Sequence, residues 1–568
     1  MESRADQLKR FPITSILCVA MLLLSATAAR AASPLPPNLN PGALQNQFLQ
    51  SQPKPKPKTA TTQPVITGPQ ATTKPSAKPG GAKFTLREVR FTPSKFISTQ
   101  QLQGIVRPYI GKQVDFADLE DILHQIDAIY LHRGILTAEA VLPPQKIHNG
   151  VLEIELVEGR LGVVHVKGNA ANGTTITNGS YFLDRLPLVS GQILDDADLA
   201  QALTYFNRTT DVQLHATLQP GSQFGLTNVL LFAQEPNRVT LDLGVDNYGN
   251  PTTGQLEGSE YLNLYSPLKL DDRLNVYAVQ SQGAIDNTIS YSIPVTSFGT
   301  QVGASYADSW YHIVNGSFSG LDVRGRSWLL SGNLIQPFYA DQHWLIEGGF
   351  QYAYDDSDSR IGGTDLGHTL VNKYSGGLTV QGNWTQGAFS LIQTALYSDG
   401  SEPQSVTSHP FIYSGNFYGY YNFTPQVYGS LLSGWQYTPA NNITPDELFQ
   451  LGGEYSVRGY PTDAVAGNSG IFSQLEMHYK PISIFDAYGF FDQGYLWSPA
   501  PPKYLRMQSA GVGTKWAFND LLDHIKSGKN LFTDQLTVNV WVGFPFTDVI
   551  TNQQSYQIGA AMVYQIAF

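Results

Sequence analysis

The chain has 568 residues, and its 46 acidic residues outnumber the 35 basic ones to give a formal net charge of −11, which argues against a basic nucleic-acid-binding surface. Its single cysteine, Cys18, excludes a disulfide framework and a thiolate metal site. Only 14% of the residues are charged, whereas glycine (53), tyrosine (30) and phenylalanine (28) are abundant, a composition that suits a membrane β-barrel but leaves a large secreted β-protein open.

The first 31 residues have the layout of a secretory signal peptide. Basic residues precede the apolar residues 13–24, and small residues end at Ala31, so we expect residues 1–31 to be removed. No second apolar run reaches the length of about 18 residues that a membrane-spanning helix needs. The sequence therefore predicts an exported protein without such a helix.

Residues 32–83 are rich in proline, lysine, threonine and glutamine, and proline alternates with lysine over residues 53–58. This composition is typical of an extended, semi-rigid linker. Within the linker, residues 42–50 place Leu44, Phe48 and Leu49 at helical spacing. A short helix and a disordered segment are both open there.

Residues 84–160 predict a small α+β module in the order strand, helix, helix, strand, strand. Its longer helix, residues 118–133, has one apolar face and ends at a glycine. The last two strands are separated by the hairpin signal Asn149-Gly150. The first of these two strands consists of Ala138, Glu139, Ala140, Val141 and Leu142.

Residues 161–236 repeat this order more loosely around a helix over residues 196–206. In residues 237–568 the helical pattern stops, and apolar and polar residues alternate with a period of two. This length accommodates about 16 antiparallel membrane-spanning strands. The predicted fold is therefore a membrane β-barrel of about 16 strands, preceded by two α+β modules, because closure satisfies every backbone group in lipid.

The end of the chain has the pattern of a final, barrel-closing strand. Apolar residues alternate with small and polar ones from Tyr556 onward. The apolar face ends with Tyr564, Ile566 and Phe568. Aromatic residues at the ends of this face suit the interfacial girdle of a membrane barrel, although a soluble sheet can show the same alternation.

Two motifs lie late in the predicted barrel. The first, in a glycine-rich loop, consists of Val457, Arg458, Gly459 and Tyr460. The second, near the end of a strand, contains Phe490, Asp492 and Gly494. Alternation places Asp492 and Glu476 on the inner face, where either carboxylate can pair with Arg458 and anchor the loop inside the pore. The alternative is a solvated Arg458 and an Asp492 in a turn.

The two modules, the Val-Arg-Gly-Tyr motif, the Phe-x-Asp-x-Gly motif and the aromatic last residue together resemble the two-partner-secretion transporters, the TpsB type of the haemolysin secretion/activation family (ShlB/FhaC/HecB-like). The resemblance covers essentially the whole chain after the signal peptide. It implies that the modules are POTRA domains, and that Arg458 reaches into the pore to meet Asp492. The family commonly has a helix that plugs the pore, and residues 42–50 stand in its place.

The resemblance also implies a function. The chain would be an outer-membrane pore of a Gram-negative-type bacterium, with its POTRA domains in the periplasm. Its partners would be a secreted TpsA-like exoprotein with an N-terminal secretion domain, the outer-membrane lipid, and the barrel-assembly machinery that inserts it. The unfolded exoprotein would add a strand to the edge formed by residues 138–142 and then pass through the lumen.

No nucleophile and base pair, metal-ligand spacing or phosphate loop stands out, so we expect neither an enzyme nor a cofactor. His124 and His132 flank one helix without carboxylate or cysteine ligands, which favours solvated side chains. The main alternative function is a factor that inserts other outer-membrane proteins, which a larger number of modules would favour. A passive porin explains the barrel but neither the modules nor the two motifs.

Overall fold

The computed structural model describes residues 41–52, 65–68, 83–170, 172–401, 407–499, 503–521, 532–550 and 553–568. The predicted signal peptide and most of the predicted linker lie outside these residues. Within the described part of the chain, no helix is both long and apolar enough to cross a membrane.

The first unit is the predicted α+β module, with helices packed on a three-stranded sheet whose strands lie in the order β3 (Glu88–Phe91), β6 (Val151–Glu158) and β5 (Ala138–Val141). Strand β3 runs parallel to β6, and β5 runs antiparallel to it. Asn149 and Gly150, both at positive φ, form the tight turn that precedes β6. Its elements are β2 (Phe84–Thr85), β3 (Glu88–Phe91), α2 (Thr99–Val106), β4 (Gln113–Val114), α3 (Phe116–His132), β5 (Ala138–Val141) and β6 (Val151–Glu158).

The second unit repeats this order, but its four-stranded sheet includes a strand from the predicted linker. The strands of this sheet lie in the order β1 (Ile66–Thr67), β8 (Gln213–Pro220), β9 (Leu226–Gln234) and β7 (Arg160–Gly168). Ile66 pairs with Ala216 in parallel, and Val65 packs on the core of the unit. Its elements are β1 (Ile66–Thr67), β7 (Arg160–Gly168), α4 (Gly179–Leu183), α5 (Asp196–Thr209), β8 (Gln213–Pro220) and β9 (Leu226–Gln234). The linker is thus partly folded, a feature that its composition did not predict.

Across the described residues, 16 long antiparallel strands close into a barrel, which confirms the predicted fold. The first and last strands pair directly and close the sheet. The barrel strands and the short strands in its loops are β10 (Val239–Asp246), β11 (Glu257–Tyr265), β12 (Arg273–Gln280), β13 (Ala284–Pro294), β14 (Gln301–His312), β15 (Val323–Ala340), β16 (Trp344–Ile361), β17 (Thr364–Trp384), β18 (Gly387–Ser401), β19 (Thr407–Ser408), β20 (Phe411–Asn422), β21 (Val427–Tyr437), β22 (Phe449–Leu451), β23 (Val465–Gly467), β24 (Ser469–Ile482), β25 (Phe485–Trp497), β26 (Tyr504–Asn519), β27 (Thr533–Pro545) and β28 (Gln557–Ala567).

The second unit is fastened to the turns at one end of the barrel. The Tyr181 hydroxyl on α4 donates to Asp271 at 3.1 Å, in the turn between β11 and β12. The Tyr205 hydroxyl on α5 donates to the Phe298 carbonyl at 3.0 Å, in the turn between β13 and β14. Tyr265 of the barrel is fully buried in the core of the second unit. This docking holds the second unit against the barrel mouth.

Candidate functional site: the pore loop and the lumen helix

The connection between β21 and β24, residues 438–468, folds into the barrel and is called the pore loop below. It contains β22, β23 and the motif around Arg458. Gly459 has a φ of 88° and packs against Gly543 on the barrel wall, where a Cβ on Gly543 would lie 2.9 Å from the Gly459 nitrogen. Glycine at both positions therefore lets two backbones touch, and this contact seats the motif on the inner wall.

Arg458 joins the pore loop to the wall through Asp492 on β25. Its Nε donates to Asp492 Oδ2 at 2.8 Å, its Nη2 to Oδ1 at 2.9 Å, and its backbone N–H to Oδ2 at 3.0 Å. Its Nη1 donates to Glu476 Oε1 on β24 at 2.5 Å. The Arg458 side chain is 3% exposed and that of Asp492 is 0% exposed. A bidentate pair of this kind fixes both position and orientation.

Phe490 completes this site, because the Arg458 guanidinium lies over its ring at 3.8 Å from the centroid. A cation over an aromatic face is attracted by the ring's negative charge density. The structure therefore brings together four of the residues singled out in the sequence. They are Arg458, Glu476, Phe490 and Asp492.

The other motif residues pack the pore loop against the barrel wall through buried, mainly apolar contacts. Val457 and Tyr460 are fully buried, and the Tyr460 hydroxyl lies 2.9 Å from the Thr547 carbonyl. At Gly494 an added Cβ would lie 2.9 Å from side-chain carbons of both Leu451 and Val457. Gly494 thus leaves the space that the pore loop occupies.

His478 supports the site and was not singled out in the sequence. Its Nε2 lies 3.0 Å from Glu476 Oε2 and its Nδ1 lies 3.0 Å from Asp486 Oδ1. A ring with a carboxylate at each nitrogen suits the imidazolium form, which donates from both. Its ring also stacks between Tyr428 and Tyr488. Period-two alternation places His478 on the same face as Glu476, so the contact between these two side chains could have been predicted from the sequence.

Helix α1 (Pro41–Ser51) lies inside the barrel, so the open choice between a helix and a disordered segment resolves as a helix. Phe48 stacks on Tyr277 of β12 at 5.3 Å between ring centroids. Leu44 packs in an apolar cluster with residues of β14, β15 and their connection. Gln450 Nε2 of the pore loop donates to the Ala43 carbonyl at 3.2 Å. The helix therefore contacts both the wall and the pore loop.

Strand β5, the predicted docking edge, pairs only with β6 among the described residues. The Ala140 N–H points away from β6 and donates to Asp127 Oδ1 on α3 at 2.7 Å. Because N–H directions alternate along a strand, Ala138 also points outward, whereas Glu139 and Val141 face β6. Leu142 lies one residue beyond the strand.

Asp196 at the start of α5 ties this edge to the second unit. Its Oδ2 accepts the Leu136 N–H at 2.5 Å and the Thr137 N–H at 3.1 Å, just before β5. Burial raises the pKa of Asp196. This carboxylate therefore joins the segment just before β5 to the second unit, and the Lys95–Asp195 ion pair at 3.1 Å is a further contact between the two units.

The last residues of the chain form the closing strand β28, and Phe568 follows it. Leu241 pairs with Ile566 and Leu243 with Tyr564, across the seam between β10 and β28. Phe568 is 53% exposed on the barrel surface. Among the described residues, no group of three or more His, Cys, Asp or Glu side chains is arranged to hold a metal ion.

Comparison with known proteins identifies the family. Residues 225–516 match the model of the haemolysin secretion/activation protein ShlB/FhaC/HecB, and residues 84–159 match the ShlB-type POTRA domain. The heme/hemopexin transporter protein HuxB of Haemophilus influenzae is 23% identical over 85% of this chain and 87% of its own length. The outer membrane transporter CdiB of Escherichia coli is 24% identical over 88% and 86%, respectively.

Among solved structures, CdiB from Acinetobacter baumannii superposes with a TM-score of 0.61 at 20% identity, covering 94% of this chain and all of that one. This likeness concerns the fold, and the family rests on the match over residues 225–516. The chain therefore belongs to the haemolysin secretion/activation (ShlB/FhaC/HecB) family, outer-membrane β-barrel transporters with periplasmic POTRA domains.

Proposed function

We propose that this protein recognises an unfolded exoprotein in the periplasm through its POTRA domains and passes it through the barrel to the cell surface, as the outer-membrane half of a two-partner secretion system. The observation that carries the proposal is how the lumen is filled. The pore loop and helix α1 occupy it through side-chain contacts and not as strands of the wall, so both can leave while the barrel stays closed.

The POTRA edge supports recognition by strand addition. An extended segment gains main-chain hydrogen bonds when it pairs with an exposed strand, and these bonds do not depend on its sequence. In the second unit, the β8 edge already accepts β1, with the Ala216 N–H donating to the Val65 carbonyl at 2.8 Å. The β5 edge has no strand partner on its outer side among the described residues. We therefore retain residues 138–142 as the docking edge.

The test is secretion of the exoprotein encoded by a neighbouring reading frame, co-expressed with this chain. Ala138→Pro removes an outward N–H at the first residue of β5, where proline is tolerated. We expect it to lower surface exoprotein several-fold at unchanged barrel levels. The control, Gln103→Ala, changes an exposed side chain on α2 away from the β5 edge, so it should secrete normally. Equal secretion by the proline variant and the control would remove β5 as the docking edge.

The alternative, insertion of other outer-membrane proteins, uses similar parts. Depletion of the protein separates the two functions, because an assembly factor is needed for many unrelated barrels. We expect depletion to abolish surface display of the one exoprotein and to leave the amounts of other folded barrels unchanged. A general fall in folded outer-membrane proteins would favour the assembly function.

A further inference from the structure

A second buried ion-pair cluster lies in the lumen, away from Arg458. Lys373 on β17 points inward, and its Nζ lies 2.8 Å from Asp355 Oδ2 on β16 and 2.5 Å from Asp446 Oδ2. Asp446 belongs to the 3₁₀ helix Pro445–Glu447 of the pore loop. The Lys373 side chain is 15% exposed, and both carboxylates are 4% exposed. One wall lysine thus holds a wall carboxylate and a loop carboxylate together.

Asp446 contacts helix α1 directly, whereas Asp355 reaches the helix only through Ser327 on β15. Gln45 Nε2 of the helix donates to the Ser327 carbonyl on β15 at 3.2 Å, and the Ser327 hydroxyl lies 3.3 Å from Asp355 Oδ1 on β16. Asn46 of the helix donates to the Asp446 backbone carbonyl. The contacts therefore form a closed ring that runs from the helix through β15, β16 and β17 to the pore loop and back to the helix.

We propose that Lys373 is a positioning residue that couples helix α1 to the pore loop, so that neither element leaves the lumen alone. The physical reason is the pair of carboxylates. Without the ammonium group, Asp355 and Asp446 are two buried negative charges that share a site, and an uncompensated buried charge is strongly destabilising. Asp446 then moves away from the wall, and the Asn46 contact moves with it.

This coupling differs from the Arg458 contacts in position and in what it holds. Arg458 fixes the middle of the pore loop to β24 and β25, whereas Lys373 fixes the start of the loop to β16 and β17 on another part of the wall. Helix α1 is connected to the Lys373 cluster, because Gln45 of the helix bonds to Ser327, which lies beside Asp355. Release of the helix from the lumen is thus linked to movement of the start of the pore loop, at Asp446.

The test measures helix occupancy directly in purified full-length protein, by cross-linking Gln52→Cys to Thr288→Cys with a short bis-maleimide. These side chains are in contact at 2.9 Å when the helix is seated, and Cys18 is the chain's single native cysteine. We expect Lys373→Met to lower the cross-linked fraction about tenfold or more. Lys373→Arg, which keeps the charge, should largely preserve it.

Two further variants make the test decisive. Asp446→Asn removes the loop charge that Lys373 attracts and leaves Lys373 paired with Asp355, so the barrel wall stays compensated. The start of the pore loop then loses its ionic contact with the wall, and the cross-linked fraction should fall, although less than in Lys373→Met. Arg326→Met is the control, because Arg326 pairs with Asp308 within the wall at 2.7 Å. Heat-modifiable gel mobility shows whether the barrel of each variant is folded. If the folded Lys373→Met and Asp446→Asn variants cross-link as much as the wild type, the proposal is wrong. If Lys373→Met does not fold, the result for Asp446→Asn alone decides.

The biological purpose of this coupling rests on the proposed transport function, but the coupling itself can be tested without it. Cross-linking requires no exoprotein, so a chain that cross-links as expected but exports nothing would refute the transport function and keep the role of Lys373. Normal secretion with unchanged cross-linking in both variants would support the transport function and refute the role of Lys373.

Discussion

The Arg458 and Asp492 pair allows a double-mutant cycle whose outcome the geometry specifies. Arg458→Ala leaves the Asp492 carboxylate, 0% exposed, without its guanidinium. Breaking a buried pair in this way costs about 3–5 kcal/mol. At about 1.4 kcal/mol per factor of ten, the ratio of docked to undocked pore loop falls by roughly two to four orders of magnitude.

Asp492→Ala is expected to be milder, because Arg458 keeps Glu476 at 2.5 Å and the Phe490 ring. The double variant should be no worse than Arg458→Ala, since the interaction is lost once. Surface exoprotein at matched barrel levels reports function, and maleimide labelling of Ser456→Cys, buried in the docked loop, reports undocking. Arg506→Ala, at an arginine outside this cluster, is the control. Additive defects in the double variant would refute the pairing as the anchor.

Two further predictions follow from packing and from domain structure. Gly494→Ala places a Cβ 2.9 Å from side-chain carbons of Leu451 and Val457. This overpacking costs about 1–3 kcal/mol and should increase maleimide labelling of Ser456→Cys without any change of charge. Unchanged labelling would show that the pore loop moves to accommodate the added methyl group. Deletion of residues 84–160 should abolish secretion while the barrel still inserts, because the closed sheet satisfies its own backbone; loss of heat-modifiable barrel in the deletion would contradict this.

Period-two alternation was sufficient to predict the barrel and the inward direction of Glu476 and Asp492, because a strand with one apolar face repeats the same local pattern. The same reasoning missed β1, since a two-residue strand carries no periodicity. It also missed Lys373, because its partner Asp446 lies in a loop whose path is set by tertiary packing and not by spacing. Family resemblance supplied the pairing of Arg458, which the sequence pattern alone left open.

The two ion-pair clusters position the pore loop more than they stabilise it. Arg458, Asp492, Lys373 and Asp446 can each be rehydrated when the loop enters water, so the net gain from pairing them is small even though removal of one partner is costly. The buried apolar contacts of Val457 and Tyr460 add stabilisation of the docked pore loop that does not depend on these ion pairs. If an exoprotein segment opens the pore, as proposed, it can do so only to the extent that it binds the undocked state of the pore loop more tightly than the docked state.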